Sequence, residues 1–108
     1  MLCSLVATLV LTATAYSPTV AQNDADPWTT ACGTRPFVGS VAVSQDLFWT
    51  SGFGCGDSIV VNGKRVVVND TMHWRIKKTV DLWVPTKRKA DRLGRRPAVV
   101  CRWDGRLR

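Results

Sequence analysis

Residues 57–70, DSIVVNGKRVVVND, set two β-branched runs on either side of Asn62-Gly63. Asn-Gly accepts the left-handed backbone of a two-residue hairpin turn, and branched side chains fit a pleated surface, so this stretch predicts a tight antiparallel pair. The rest of the chain keeps the same period of two between dense turn signals. TATAY (12–16) has a strand composition and stops at Ser17-Pro18, GSVAVS (39–44) is a short apolar strand, VDLWV (80–84) alternates, and RPAVVCRW (96–103) reads as a closing strand. Residues 21–36, 45–56 (rich in Gly) and 71–79 read as loops. All the acids are Asp and none is Glu, which suits turns and caps and argues against a mostly helical fold. One helix is expected over 86–93, with Thr86 as N-cap, Ala90 and Leu93 as a small apolar face and Gly94 as the C-terminal stop. Short strands at roughly ten-residue spacing point to a compact all-β barrel.

At 108 residues the chain has room for one domain, and at 21% charged residues with a mean hydropathy of −0.02 it suits neither a disordered polyelectrolyte nor a membrane protein. The net charge of +7 is unevenly placed. Residues 1–63 carry one base, Arg35, against four acids, whereas residues 64–108 carry fourteen bases against four acids. A basic half points to a polyanionic partner such as nucleic acid, an anionic membrane or the bacterial wall, and a merely solubilising surface accounts for it as well.

Residues 2–13 are apolar and small enough for a signal-peptide core, too short to span a bilayer, and no Lys or Arg precedes them. An A-x-A site at Ala13–Ala15 would cut into the first expected strand, so a shortened signal followed directly by the domain is expected; the alternative is that TLVLTATAY is simply a strand. Cys32, Cys55 and Cys101 allow one bridge plus a free thiol in an exported chain, and buried unpaired thiols fit equally. There is no C-x-x-C and one histidine, His73, so neither a metal nor another cofactor is expected.

No Gly-rich phosphate loop, nucleophile elbow or His–Cys pair is present. Asp70 and Asp81 stand out because each adjoins a strongly β run, VVVND and VDLW. An Asp inside VDLW is costly unless it is paired or faces solvent. A turn role for Asp70 and a solvent-facing Asp81 would also explain them.

TATAYSP, TTACGTR, VAVSQDL, FGCGDSIVV, VVVNDTMHWR and VDLWVP…ADRLGRR, in this order, resemble the 3D (three-aspartate) domain of bacterial muralytic proteins. The resemblance implies a six-stranded double-psi β-barrel, similar to that of MltA-type lytic transglycosylases and related to RlpA and the expansins. It makes TATAY the first barrel strand, which leaves residues 1–10 as a truncated signal segment and 11–108 as the domain. It implies Asp81 as catalytic acid and Asp70 as its carboxylate neighbour. Ser44 stands where the first aspartate is expected, and Asp46, two residues on, is its candidate substitute. Tyr16, Thr30, Ser44, Trp74 and Arg75 are the implied substrate contacts, and Arg75 could hold a muramyl carboxylate. Trp83 fits either core or cleft. The loop TMHWRIKK replaces the Gly-rich loop of the family.

The implied reaction is lytic cleavage of peptidoglycan, in which one carboxyl group protonates the glycosidic oxygen. As carboxylate it then takes the proton of the muramyl C6 hydroxyl, which closes a 1,6-anhydro ring; a single acid/base suffices because the nucleophile belongs to the substrate. Partial burial and a second carboxylate would raise the pKa of Asp81 as this needs. The alternative is a non-catalytic peptidoglycan-binding or wall-loosening, expansin-like module. A third reading, a basic nucleic-acid-binding barrel using Lys77, Lys78, Lys87, Arg88, Lys89, Arg95 and Arg96, conflicts with the paired aspartates. The expected protein is monomeric and exported to the cell envelope or beyond, from a bacterial or phage genome, without a transmembrane segment.

Overall fold

The structure, a computed structural model, describes residues 8–17 and 30–103. Most of the proposed signal segment lies outside them. Six strands, β1 (Leu9–Tyr16), β2 (Ser40–Val43), β3 (Ser58–Val61), β4 (Lys64–Thr71), β5 (Thr79–Trp83) and β6 (Arg96–Arg102), close in the order β1-β5-β2-β4-β3-β6. β1 with β5 and β2 with β4 run parallel, and the other four pairs are antiparallel. This is the expected six-stranded double-psi barrel. Closure leaves no sheet edge open, which removes the commonest route to edge-to-edge aggregation.

The Asn62-Gly63 turn forms as its sequence requires, with φ of 49° and 83°. Asn62 also exchanges hydrogen bonds with Val99, locking the hairpin to β6. β1 starts at Leu9, ahead of the sequence-based boundary, and Leu9 and Val10 pair with Val100 and Val99.

Inward-facing residues alternate with outward ones along each strand. Leu11 and Ala13 of β1, Val41 and Val43 of β2, Val66 and Val68 of β4 and Val80 of β5 all belong to one buried cluster. Burial of each valine stabilises the barrel by about 1.5–3 kcal/mol relative to exposure. Alternation then dictates an outward row in which Thr14 pairs with Asp81, Asp81 with Ala42, and Ala42 with Asp70.

Asp70 joins that row through a bulge. The β2–β4 register steps from Val41–Val68 to Ala42–Asp70, leaving Asn69 as the extra residue. Strict alternation from Val66 and Val68 would turn Asp70 into the core; the bulge puts Asn69 inside, where it is buried and donates to the Arg35 carbonyl at 3.2 Å.

The expected helix is α2 (Lys87–Leu93), capped by Thr86, whose side chain accepts from the Lys89 N–H, and ended at Gly94. A further short helix, α1 (Gln45–Thr50), occupies a stretch read from sequence as loop. It forms because Ser44 is extended at its N-cap and Leu47 and Phe48 pack onto the core, while Gly52, at φ 68°, turns the chain away. Cys32 and Cys55 form a disulfide, and Cys101 is disulfide-bonded as well. The expected free thiol is therefore absent among the described residues. No helix described is long and apolar enough to cross a membrane.

Candidate functional site

Asp81 sits mid-strand on the outer face, half-buried, and its Oδ1 accepts a 2.8 Å hydrogen bond from the Thr14 hydroxyl across the β1–β5 pair. Burial pushes its pKa up to about 6; the Thr14 bond pulls the other way, and the charge of Asp70 adds to the rise. Asp70 lies two strands away, beyond Ala42, at a separation of about 10 Å between backbones. Its Oδ1 accepts N–H bonds from Ala31 at 2.8 Å and Thr71 at 2.9 Å.

Tyr16 ends β1 on the same outer side, in the partial shelter of both carboxylates. Burial first, then the charges of Asp70 and Asp81, push its phenol pKa far up, so the hydroxyl keeps its proton. That hydroxyl is buried without a hydrogen-bond partner in the structure. The barrel thus sets Asp81, Asp70 and Tyr16 close enough to feel one another's charge.

An open cleft of about 490 Å³ fronts Asp81. Thr14 offers a hydroxyl, with Thr79 buried beside it and donating its own to the Lys77 carbonyl at 2.7 Å; Met72 and Ile76 form an apolar wall, and Arg75, Lys77 and Arg95 bring positive charge. Trp74, next to Arg75, is 58% exposed, stacked on His73 with ring centroids 5.6 Å apart, and carries the Arg75 guanidinium 5.3 Å from its ring. An exposed indole beside a cleft is a surface on which a sugar face can rest.

Three sequence candidates do other work. Ser44 is fully buried; its Oγ accepts from the Thr79 N–H at 3.0 Å, and its side chain hydrogen-bonds Asp46. It cannot touch a ligand in this arrangement. Asp46 accepts the Lys78 N–H at 3.1 and 3.3 Å, holding Lys78 in the left-handed region at φ 49°. Burial alone would raise its pKa, but the bonds from Ser44 and the Lys78 backbone outweigh that and hold it low. Asp46 therefore anchors the loop before β5 rather than replacing a missing third carboxylate. Thr30 is buried in the 30–34 turn, where its Oγ1 accepts from the Cys32 N–H at 3.3 Å; this turn presents Ala31 to Asp70.

Sequence reasoning missed Thr14, Lys77, Thr79 and Arg95 as parts of the site. Thr14 had a signal: it shares the outward parity of Tyr16 in TATAY. Trp83 pairs with Tyr16 in register but lines a different cleft, one that Asp81 does not line. Among the described residues no three His, Cys or Asp side chains gather into a set that could hold a metal ion.

No family model matches the chain, and no curated protein does. Solved structures do. The apo crystal structure of the Clavibacter michiganensis expansin matches with a TM-score of 0.57 at 25% identity over 94% of this chain. An aspartate-to-asparagine mutant of that expansin, in complex with cellohexaose, matches with a TM-score of 0.59 at 23% identity over 94% of this chain. The barrel is similar to that of an expansin. The chain spans about half of those expansin chains, 52% of their length.

Proposed function

We propose that the barrel is a cell-wall polysaccharide-binding module of the wall-loosening, expansin-like kind, with the Asp81 cleft as its glycan contact. One observation carries this reading: Asp81, held by Thr14 on the outer face, opens onto a cleft with hydroxyl, apolar and cationic walls. The likeness to an expansin whose mutant was crystallised with cellohexaose supports a glycan as the class of ligand. The finer substrate is the glycan strand of peptidoglycan, in keeping with the resemblance to the 3D domain. Arg75 is then the partner of a muramyl carboxylate, and Trp74 the stacking platform. A disulfide between Cys32 and Cys55 suits an exported protein in an oxidising compartment.

A second reading, lytic transglycosylation, has its own support in the Asp81 carboxyl near 6, which keeps part of the population protonated close to neutral pH. Asp81 would protonate the glycosidic oxygen and, as carboxylate, remove the proton of the attacking C6 hydroxyl. Two departures favour binding over cleavage. Ser44 is sealed in the core, and the carboxylate two residues on is tied to the Lys78 backbone.

Incubation with purified sacculi decides between them. The binding reading expects the protein to sediment with sacculi and mass spectrometry to find no anhydromuropeptides. Anhydro products that vanish in Asp81→Asn would replace it with the transglycosylase reading. Failure both to sediment and to release anhydro products would remove both.

A further inference from the structure

Part of the positive charge of the C-terminal half lines three clefts. The Asp81 cleft is walled by Arg75, Lys77 and Arg95. A second open cleft of about 450 Å³, along the start of β1, is lined by Lys78, Arg95 and Arg96 with Val10 and Pro97. A third, of about 330 Å³, lies between the hairpin and α2, with Lys64, Lys89 and Arg96 around Trp83, Leu82 and Leu93. Arg95 is common to the first and second, and Arg96 to the second and third, so one arginine stands between each neighbouring pair. All seven cations are exposed. The ion pairs Lys87–Asp91 and Arg102–Asp57 use none of them.

We propose that these clefts form one continuous track for a single acidic polysaccharide, with carboxylate-bearing sugars, running from Asp81 to Trp83. The proposal rests on the reading that the Asp81 cleft holds a glycan, and extends it to the substrate's charge and length. Each cleft pairs cations with an apolar floor: Met72 and Ile76, then Val10 and Pro97, then Trp83 and Leu93. That alternation fits a chain of rings that are apolar on their faces and anionic at their edges. Arginines stand at both junctions, and a guanidinium fork matches a carboxylate in two-point geometry. A nucleic acid fits less well, because its evenly spaced phosphates would have to pass the Asp81 carboxylate. A glycan can set a hydroxyl-bearing ring edge there.

The test measures binding of oligogalacturonates of about three and about twelve units to the wild type and to two double variants of equal charge change. Lys89→Gln/Arg96→Gln removes two cations of the third cleft, which Asp81 does not line. Arg88→Gln/Arg92→Gln removes α2 cations that line none of the three clefts. Thermal melts check that both variants stay folded. A continuous track expects the long oligomer to bind wild type at least about tenfold more tightly than the short one. Lys89→Gln/Arg96→Gln should erase most of that gain and weaken the short oligomer much less, while Arg88→Gln/Arg92→Gln keeps the gain. Equal losses in both variants would mean diffuse attraction and overturn the track, as would a long oligomer that binds no better than a short one. Tighter binding of oligothymidylate of matched charge, lost in Lys89→Gln/Arg96→Gln, would reassign the track to nucleic acid. A wild type that binds neither oligomer but still sediments with sacculi would overturn the track and leave the wall-binding reading standing.

Discussion

A carboxyl on the outside of a small barrel ordinarily titrates near 4, yet Asp81 titrates at about 6 because its neighbours bury it. A folded pKa raised above the unfolded one means that the folded state holds the proton more tightly across that window. Stability is therefore greatest below about pH 4 as far as this group is concerned, and falls as pH rises to about 6. The carboxylate costs up to about 3 kcal/mol at neutral pH, less whatever solvent screening removes. Asp81→Asn should thus be close to wild type in stability near pH 4 and more stable by on the order of 2 kcal/mol near pH 7. Denaturant midpoints across that range check it, and a pH-independent difference would show that the carboxyl is not shifted. Asp81 was legible because an acid within VDLW has few good explanations. The bonds that employ Ser44 and Asp46 were not legible, for a related reason. Both residues were singled out from where a family carboxylate stands, whereas the hydrogen bonds to Thr79 and Lys78 that employ them join residues more than thirty positions away.

Among the elements, the hairpin, β2, β5, β6 and α2 could be read from the sequence because local alternation, turn residues and caps agree there. α1 could not. At six residues it is too short to show a helical period, and what stabilises it is contact of Leu47 and Phe48 with a core built from other strands. The bulge at Asn69 was invisible for a similar reason. It is a matter of register against β2, and no local rule chooses Asn69 as the extra residue. The Cys32–Cys55 bridge ties the 30–34 turn, which gives Asp70 the Ala31 N–H, to the loop ahead of β3. Its partners are separated by 23 residues, so removing it should cost roughly 3 kcal/mol through the freedom gained by the unfolded chain. Cys32→Ser/Cys55→Ser should therefore lower the unfolding free energy by about that amount. It should also weaken sacculus binding, because Ala31 is no longer held against Asp70. Urea titration with a pelleting assay reads both. Undiminished stability would mean that the barrel positions the turn unaided.

At the scale of the molecule, fold and charge are distributed differently. The barrel is closed by β1 against β6, so strands from both ends of the sequence share one core, while the excess of bases comes from the C-terminal half alone. β4, β5, α2 and β6 carry that half, and it supplies the cationic walls of the Asp81 cleft. Attraction to the wall should then be long-ranged at low salt. The screening length is about 10 Å at 0.1 M salt and about 3 Å at 1 M, so high salt reduces the reach of these charges to direct contact. Sacculus binding should fall at least about tenfold between roughly 0.05 and 0.5 M NaCl, with a residue that survives where Trp74 and the Asp81 cleft touch sugar directly. DNA should also bind at low salt, since fourteen bases attract any polyanion, but without preference among sequences and with nothing left at high salt. Sacculus binding that does not change over the salt series would show that the basic half is a solubilising surface. DNA binding that discriminates between sequences would show that it reads nucleic acid. The salt-resistant remainder is the part assigned to the cleft, and it should disappear in Trp74→Ala, whose exposed indole packs against His73 and Arg75 rather than the core.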